Sequence, residues 1–235
     1  MSLPIAILAG GYATRLMPLT QATPKSLIDV AGEPFIFHQL RLLARGGVTR
    51  VMLLIGHLGT DVAAAVGDGS RFGLAVDYAF DGPEPCGTAG AILRVLPRLG
   101  PEFGVLYGDS YLDCDYPAII ATFAKDPRPA MMTVYRNEGR LGASNVLYSH
   151  DTLRLYDKFS PTPEMHHIDY GLGLFRQTAF AGMPPGLPAD LAAVYHRLSR
   201  AGQLAGFEVP ERFYEVGSFA GLEELRGFLL APEQP

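Results

Sequence analysis

The chain is short of what membranes, disulfide frameworks and polyanions require. None of its apolar runs approaches the roughly 18 residues of a membrane span, although 48% of its 235 residues are hydrophobic. Its start has no basic region followed by a long apolar stretch, so the expectation is a cytoplasmic protein with no membrane partner. Cysteine occurs twice, at Cys86 and Cys114, too few and too scattered for a disulfide framework or a zinc site, and buried thiols are expected. Lysine and arginine total 19 against 24 acidic residues and form no cluster, which argues against a nucleic-acid surface. No Ser/His/Asp or Cys/His set suggests nucleophilic catalysis. His57 follows Gly56 in a loop, and His166-His167 lacks further ligands at metal spacing, so no catalytic histidine is assigned. A spaced G-x-G-x-x-G with an acidic residue after the second strand is also missing, which removes the NAD-dependent dehydrogenases.

What is present is an alternation. Apolar runs at Ile5 to Leu8, Val51 to Ile55, Ala75 to Phe80 and Gly104 to Tyr107 read as strands. Between them lie helical patterns at Phe35 to Arg45, closed by Gly46-Gly47, at Thr60 to Val66 with Thr60 as cap, and at Thr88 to Leu96. Repeated strand-helix units mean a parallel sheet with helices on both faces. After Asp109 the rhythm loosens. Helices are expected at Tyr116 to Ala124, Leu191 to Ala201 and Phe219 to Leu229. Strands are expected at Met131 to Tyr135, Asn145 to Ser149, Leu153 to Phe159, His167 to Phe175, Leu204 to Glu208 and the short Phe213 to Val216. Tyr170, Phe175, Phe213 and Tyr214 read as core. The expected architecture is a single α/β domain over residues 1–230, a Rossmann-like three-layer sandwich with a mostly parallel mixed sheet. Residues 116–230 would carry a mixed-sheet insertion lying over the strand ends of residues 1–115. Residues 231–235 would be a frayed tail.

In such sheets ligands sit beyond the carboxyl ends of the strands. Four loops reach that rim: AGGYATRL at residues 9–16, Gly56-His57, the stretch from Asp81 to Gly90, and Gly108-Asp109-Ser110. The first strips the backbone of Cβ atoms at Gly10 and Gly11, which lets N–H groups approach phosphate oxygens, and then adds Thr14 and the fixed cation of Arg15. Lys25 supplies a compact charge a short loop away. An acidic protein repels polyphosphates at long range, and a metal ion bridging carboxylates and phosphates would offset this.

The segment Leu8-Ala9-Gly10-Gly11-Tyr12-Ala13-Thr14-Arg15-Leu16, followed by Pro24-Lys25-Ser26-Leu27, resembles the signature of the sugar-1-phosphate nucleotidyltransferases, whose pattern is usually G-G-x-G-T-R-L and then P-K-x-L. The likeness continues nearly end to end. Cys86-Gly87-Thr88-Ala89-Gly90-Ala91 is similar to the family's G-T-A-G-A segment, and residues 67–74 resemble the short members that handle heptose or N-acetylmuramic acid phosphates. The resemblance implies the nucleotide-diphospho-sugar transferase fold, with residues 1–115 as a nucleotide-binding half and residues 116–230 as a sugar-binding half, and an Mg²⁺-dependent transfer of a nucleotidyl group from an NTP to a sugar 1-phosphate. It implies nucleotide contacts at Leu8, Ala9, Gly10, Gly11, Thr14, Arg15, Gly87 and Thr88. Arg15, Lys25 and Asp109 would be catalytic, Asp109 and Glu215 would hold Mg²⁺, and Lys158, Asp169 and Gly171 would hold the sugar phosphate. No hexapeptide-repeat domain is expected, so the protein would be a monomer or a homodimer through its catalytic surface.

Two positions depart from the pattern. Ala13 stands in place of a glycine and Glu215 in place of an aspartate. They leave open a nucleotide-binding regulatory homologue with weak or no turnover; a separate rival keeps the chemistry and transfers the nucleotidyl group to a non-sugar phosphate such as phosphocholine.

Overall fold

The computed structural model describes residues 3–11, 14–82 and 86–231. Strand β1 (Ile5–Ala9) is apolar throughout, and it lies in the middle of a parallel array with β4 (Arg50–Ile55) on one side and β6 (Glu102–Tyr107) on the other. Strand β5 (Ala75–Phe80) closes the array beyond β4, again parallel. The short β2 (Asp29–Val30) and β3 (Glu33–Pro34) form a separate ribbon. Helices α1 (Phe35–Arg45), α2 (Gly59–Val66) and α3 (Gly87–Leu99) link these strands. Side chains alternate across β1. Ile5 and Ile7 pack with Ile36, Leu40 and Val62 on one face, while Ala6 packs with Ile92 and Val95 on the other, giving the expected three layers.

The second half extends this sheet; it does not lie over the strand ends as the sequence suggested. After β7 (Ser110–Tyr111) and α4 (Tyr116–Lys125) come β8 (Ala130–Arg136), β9 (Val146–Ser149), β10 (Thr152–Tyr156) and the ten-residue β11 (His167–Arg176). β11 pairs antiparallel with β6 through Leu172 to Arg176, and with β8 along its other edge, so it joins the two halves by backbone hydrogen bonds. A register shift between Asp169 and Gly173 interrupts the β11·β8 ladder, with Gly171 at φ +109° inside it. β9 and β10 form the expected hairpin, which ends at Tyr156 and not at Phe159. Then follow α5 (Leu191–Arg200), β12 (Leu204–Glu208) parallel to β8, β13 (Tyr214–Glu215) and α6 (Phe219–Leu230). Among the described residues the main sheet has nine strands.

Tyr170, Phe175 and Phe213 are buried as expected, and Tyr214 is half-buried against Phe228. Both cysteines are free thiols; Cys86 is buried, and burial pushes the half-buried Cys114 thiol up to about 12. Thr60 does not cap α2. Leu58 precedes the helix at φ 55°, and Gly59 N–H bonds the Gly56 carbonyl, because the chain turns off β4 at once and Gly59 passes tightly over Ile55. None of the helices in the described residues is long and apolar enough to cross a membrane.

Candidate active site

The carboxyl ends of β1, β4, β5 and β6 open into one cleft of about 520 Å³. Its walls come from all four expected loops: Leu8 to Gly11, Gly56-His57, Asp81-Gly82 with Cys86 to Thr88, and Tyr107 to Asp109, with Lys25 and Ser26 added from the turn Lys25–Leu27. The glycines here are required by close approach. A Cβ on Gly10 would lie 2.3 Å from Asp81 Oδ2, and one on Gly108 would lie 2.3 Å from the Leu8 carbonyl oxygen. Backbone therefore presses on backbone at the cleft floor. Thr14 opens the single turn Thr14–Leu16, its side chain lies outside the described atoms, and Ala13 lies outside the described residues altogether.

At one end of the cleft charged groups converge. Lys25 Nζ donates to Asp109 Oδ2 at 2.7 Å. β13 pairs antiparallel with β7 so that Glu215 faces Ser110, and the Val216 N–H donates to the Asp109 carbonyl at 2.9 Å. Protein atoms around Glu215 displace water and push its carboxyl up; the Asp109 charge adds to this, while Lys25 and Arg15 oppose it. The bare Cα of Gly217 leaves the gap where these groups meet, since a Cβ there would stand 3.3 Å from Arg15 Nη2, 3.7 Å from Asp109 Oδ2 and 3.8 Å from Lys25 Nζ. Arg15, Lys25, Asp109 and Glu215, spread over two hundred residues of sequence, thus share one corner.

Gly87 and Thr88 line the other end. Gly87 has φ +71°, and a Cβ on it would meet the Ala189 carbonyl oxygen at 2.4 Å. That carbonyl accepts from Ala89 N–H and Gly90 N–H, satisfying part of the first turn of α3. The Thr88 hydroxyl donates to Asp190 Oδ1 at 3.0 Å and accepts from Leu191 N–H at 2.7 Å. Asp190 also caps its own helix by accepting from Ala192 N–H. Thr88 therefore faces the cleft but commits its hydroxyl to the second half of the chain.

Asp169, Gly171 and Lys158 stand beyond the cleft wall. Tyr107, which lines the cleft, donates its hydroxyl to Asp169 Oδ2 at 3.0 Å, and Gly171 N–H donates to Oδ1 at 3.0 Å. Burial pushes the Asp169 carboxyl up to about 6, against these two donors and the nearby Lys158 charge. Lys158 itself is exposed.

Three participants were not singled out from the sequence. The Asp81 carboxyl lies under Gly10 and Gly56, where burial raises it and the Arg94 charge opposes the shift. The Tyr107 hydroxyl ties the cleft wall to Asp169. Gln39 sits buried on α1 with its amide on the Tyr107 and Ser110 carbonyls. Only Gln39 left a trace in the sequence, as a polar side chain inside the apolar stripe of α1.

Glycine loops and convergent cations at the carboxyl rim of parallel strands suit a phosphate-bearing ligand, and the comparisons identify the family. Residues 5–141 match the model of the nucleotidyl transferase family, so the chain belongs to that family and is a nucleotidyltransferase. It is 33% identical to N-acetylmuramate alpha-1-phosphate uridylyltransferase of Neisseria meningitidis serogroup B, over 93% of this chain and 94% of that protein. It is 38% identical to a glucose-1-phosphate thymidylyltransferase of Streptomyces antibioticus, over 53% of this chain and 35% of that protein, so it spans about a third of that relative. The solved structure of HddC from Yersinia pseudotuberculosis shares the fold, with a TM-score of 0.81 at 20% identity over 97% of this chain and 99% of that one.

Proposed function

We propose that the protein transfers a nucleotidyl group from an NTP to a sugar 1-phosphate, releasing pyrophosphate, with residues 1–115 holding the nucleotide and residues 116–230 the sugar phosphate. The observation that carries this reading is the corner formed by Arg15, Lys25, Asp109 and Glu215 at the mouth of a glycine-lined cleft. An oxygen of the sugar 1-phosphate attacks the α-phosphorus; one P–O bond forms, the bond to the β-phosphate breaks, and pyrophosphate leaves. Two polyanions must meet, so the barrier is mainly positioning and charge, with little need for a proton-transfer residue.

Each residue then has a task. The N–H groups of Gly10 and Gly11 face the phosphates at close range. Lys25 leaves Asp109 for the α-phosphate as charge spreads there, and Arg15 takes the charge that develops on pyrophosphate. Lys158 meets the incoming phosphate, while Asp169 and Gly171 hold sugar hydroxyls. Asp109 and Glu215 fit a divalent cation: Val216, next to Glu215, bonds the Asp109 carbonyl, and the two carboxyl charges interact. A pair of carboxylates that leaves the other positions to waters and substrate phosphates is the pattern Mg²⁺ takes. When bound, that ion would neutralise charge between the phosphates.

The test is pyrophosphate release with Mg²⁺, each of the four NTPs and a panel of sugar 1-phosphates, beginning with UTP and N-acetylmuramic acid 1-phosphate, the pair named for the Neisseria meningitidis relative. Turnover with at least one pair is expected. Tight NTP binding without product from any sugar phosphate would overturn the proposal in favour of a binding module, and product from phosphocholine alone would move the acceptor class.

A further inference from the structure

Gln39 is 1% exposed and points from α1 into the underside of the candidate site. Its Nε2 donates to the Tyr107 carbonyl at 3.1 Å and to the Ser110 carbonyl at 2.8 Å. Those two carbonyls bracket Gly108-Asp109, and a primary amide carries two N–H groups on one nitrogen, so a single side chain closes the turn from both ends. Its other faces are also fixed. Gly108 N–H bonds the Leu8 carbonyl at 3.0 Å, and the Asp109 carbonyl accepts from Val216 N–H at 2.9 Å. The Asp109 side chain nonetheless stands between opposed forces, with Lys25 drawing Oδ2 at 2.7 Å and the like charge of Glu215 beside it.

We infer that Gln39 is a positioning residue for Asp109: by clamping the carbonyls on either side of it, Gln39 sets where that carboxylate is presented to a divalent cation and the nucleotide phosphates. The inference rests on the proposed role of Asp109. Removal of the clamp leaves the Ser110 carbonyl buried without this donor and lets the turn relax toward Lys25 or away from Glu215. Partners that orient a metal-holding carboxylate typically carry 10- to 100-fold of affinity or rate.

The test compares the full-length parent with Gln39→Met, which keeps length and apolar packing but has no donor. Mn²⁺ affinity is read by electron paramagnetic resonance with a non-hydrolysable UTP analogue present, alongside kcat, both KM values and thermal melting. We expect Mn²⁺ affinity and kcat each to fall by about 10- to 100-fold, with KM for the sugar 1-phosphate changed by less than about threefold. Mn²⁺ affinity and kcat within about twofold of the parent would overturn the inference, as would a lowered melting temperature with parental Mn²⁺ affinity. If Gln39→Met does not fold, Gln39→His retains one donor and should give an intermediate loss of Mn²⁺ affinity; parental affinity there would overturn it. Asp109→Asn, measured in parallel, separates the two claims. Parental Mn²⁺ affinity in Asp109→Asn sinks the proposed role of Asp109 itself, whereas a loss there with none in Gln39→Met sinks only the clamp.

Discussion

The two halves of the molecule build their parts of the site by different means. In the first, β1, β4, β5 and β6 run parallel and deliver their ends to one rim, so the cleft is made largely of backbone and glycine, with few side-chain degrees of freedom. In the second, strands run in both directions, and the candidate acceptor residues are Asp169 and Gly171 on an irregular stretch of β11 and the exposed Lys158 after β10. Parallel order makes a surface suited to a group common to all nucleotides. An interrupted ladder makes one that can be retuned residue by residue. Substitutions in the first half should therefore act on rate and on the NTP, and those along the irregular stretch of β11 on the acceptor.

The strongest test is Lys25→Ala. With its partner gone from Asp109 and no cation for the α-phosphate, kcat/KM should fall by about 10² to 10³, roughly 3 to 4 kcal/mol, with the loss mainly in kcat. A steady-state change below about threefold would remove Lys25 from the chemistry. Gly108→Ala comes next. Its methyl would meet the Leu8 carbonyl and force β1 from β6, costing about 1–3 kcal/mol of stability in urea unfolding and much of the activity.

Asp169 tests the second half. Its carboxyl has been pushed up to about 6, so as pH falls through that value the charge is lost and one oxygen becomes an O–H, and KM for the sugar phosphate should rise, while KM for the NTP holds. Asp169→Asn should raise that KM by about tenfold at neutral pH and abolish this pH dependence. Stability has the opposite sign. The folded protein binds this proton more tightly than the unfolded chain, so the group's contribution is most favourable in acid and is lost as pH rises from about 4 to about 6. Thermal melting across that window should show the fall in the parent and not in Asp169→Asn. The smallest effect is expected from Thr88→Val, which cuts the link to Asp190 for about 1 kcal/mol and should weaken NTP binding more than acceptor binding; the reverse order in calorimetry would contradict the division of labour.

The contrast also explains what could be read from the sequence. Buried parallel strands are continuous apolar runs, so their ends, and hence the rim with Gly10, Gly56, Gly87 and Asp109, are legible in the sequence. The placement of the second half was not. Its strands have ordinary half-buried patterns, and nothing local says that β11 pairs with β6 in preference to forming a separate layer. Thr60 satisfied every local rule for a cap and lost to the tight passage of Gly59 over Ile55. Gln39 and Asp190 act through partners 68 to 102 residues away and Asp81 through the bare space above a glycine, and such contacts have no period or spacing to detect.

The double duty of Asp190 has a consequence for synthesis. A nascent chain that has emerged only as far as residue 141 carries the four rim loops of the cleft, yet the first turn of α3 still waits for the Ala189 carbonyl and for the carboxylate that grips Thr88. The cleft is completed from the back of the gene, so chimeras that join the front of one relative to the rear of another must carry a matched pair at positions 88 and 190 to assemble it.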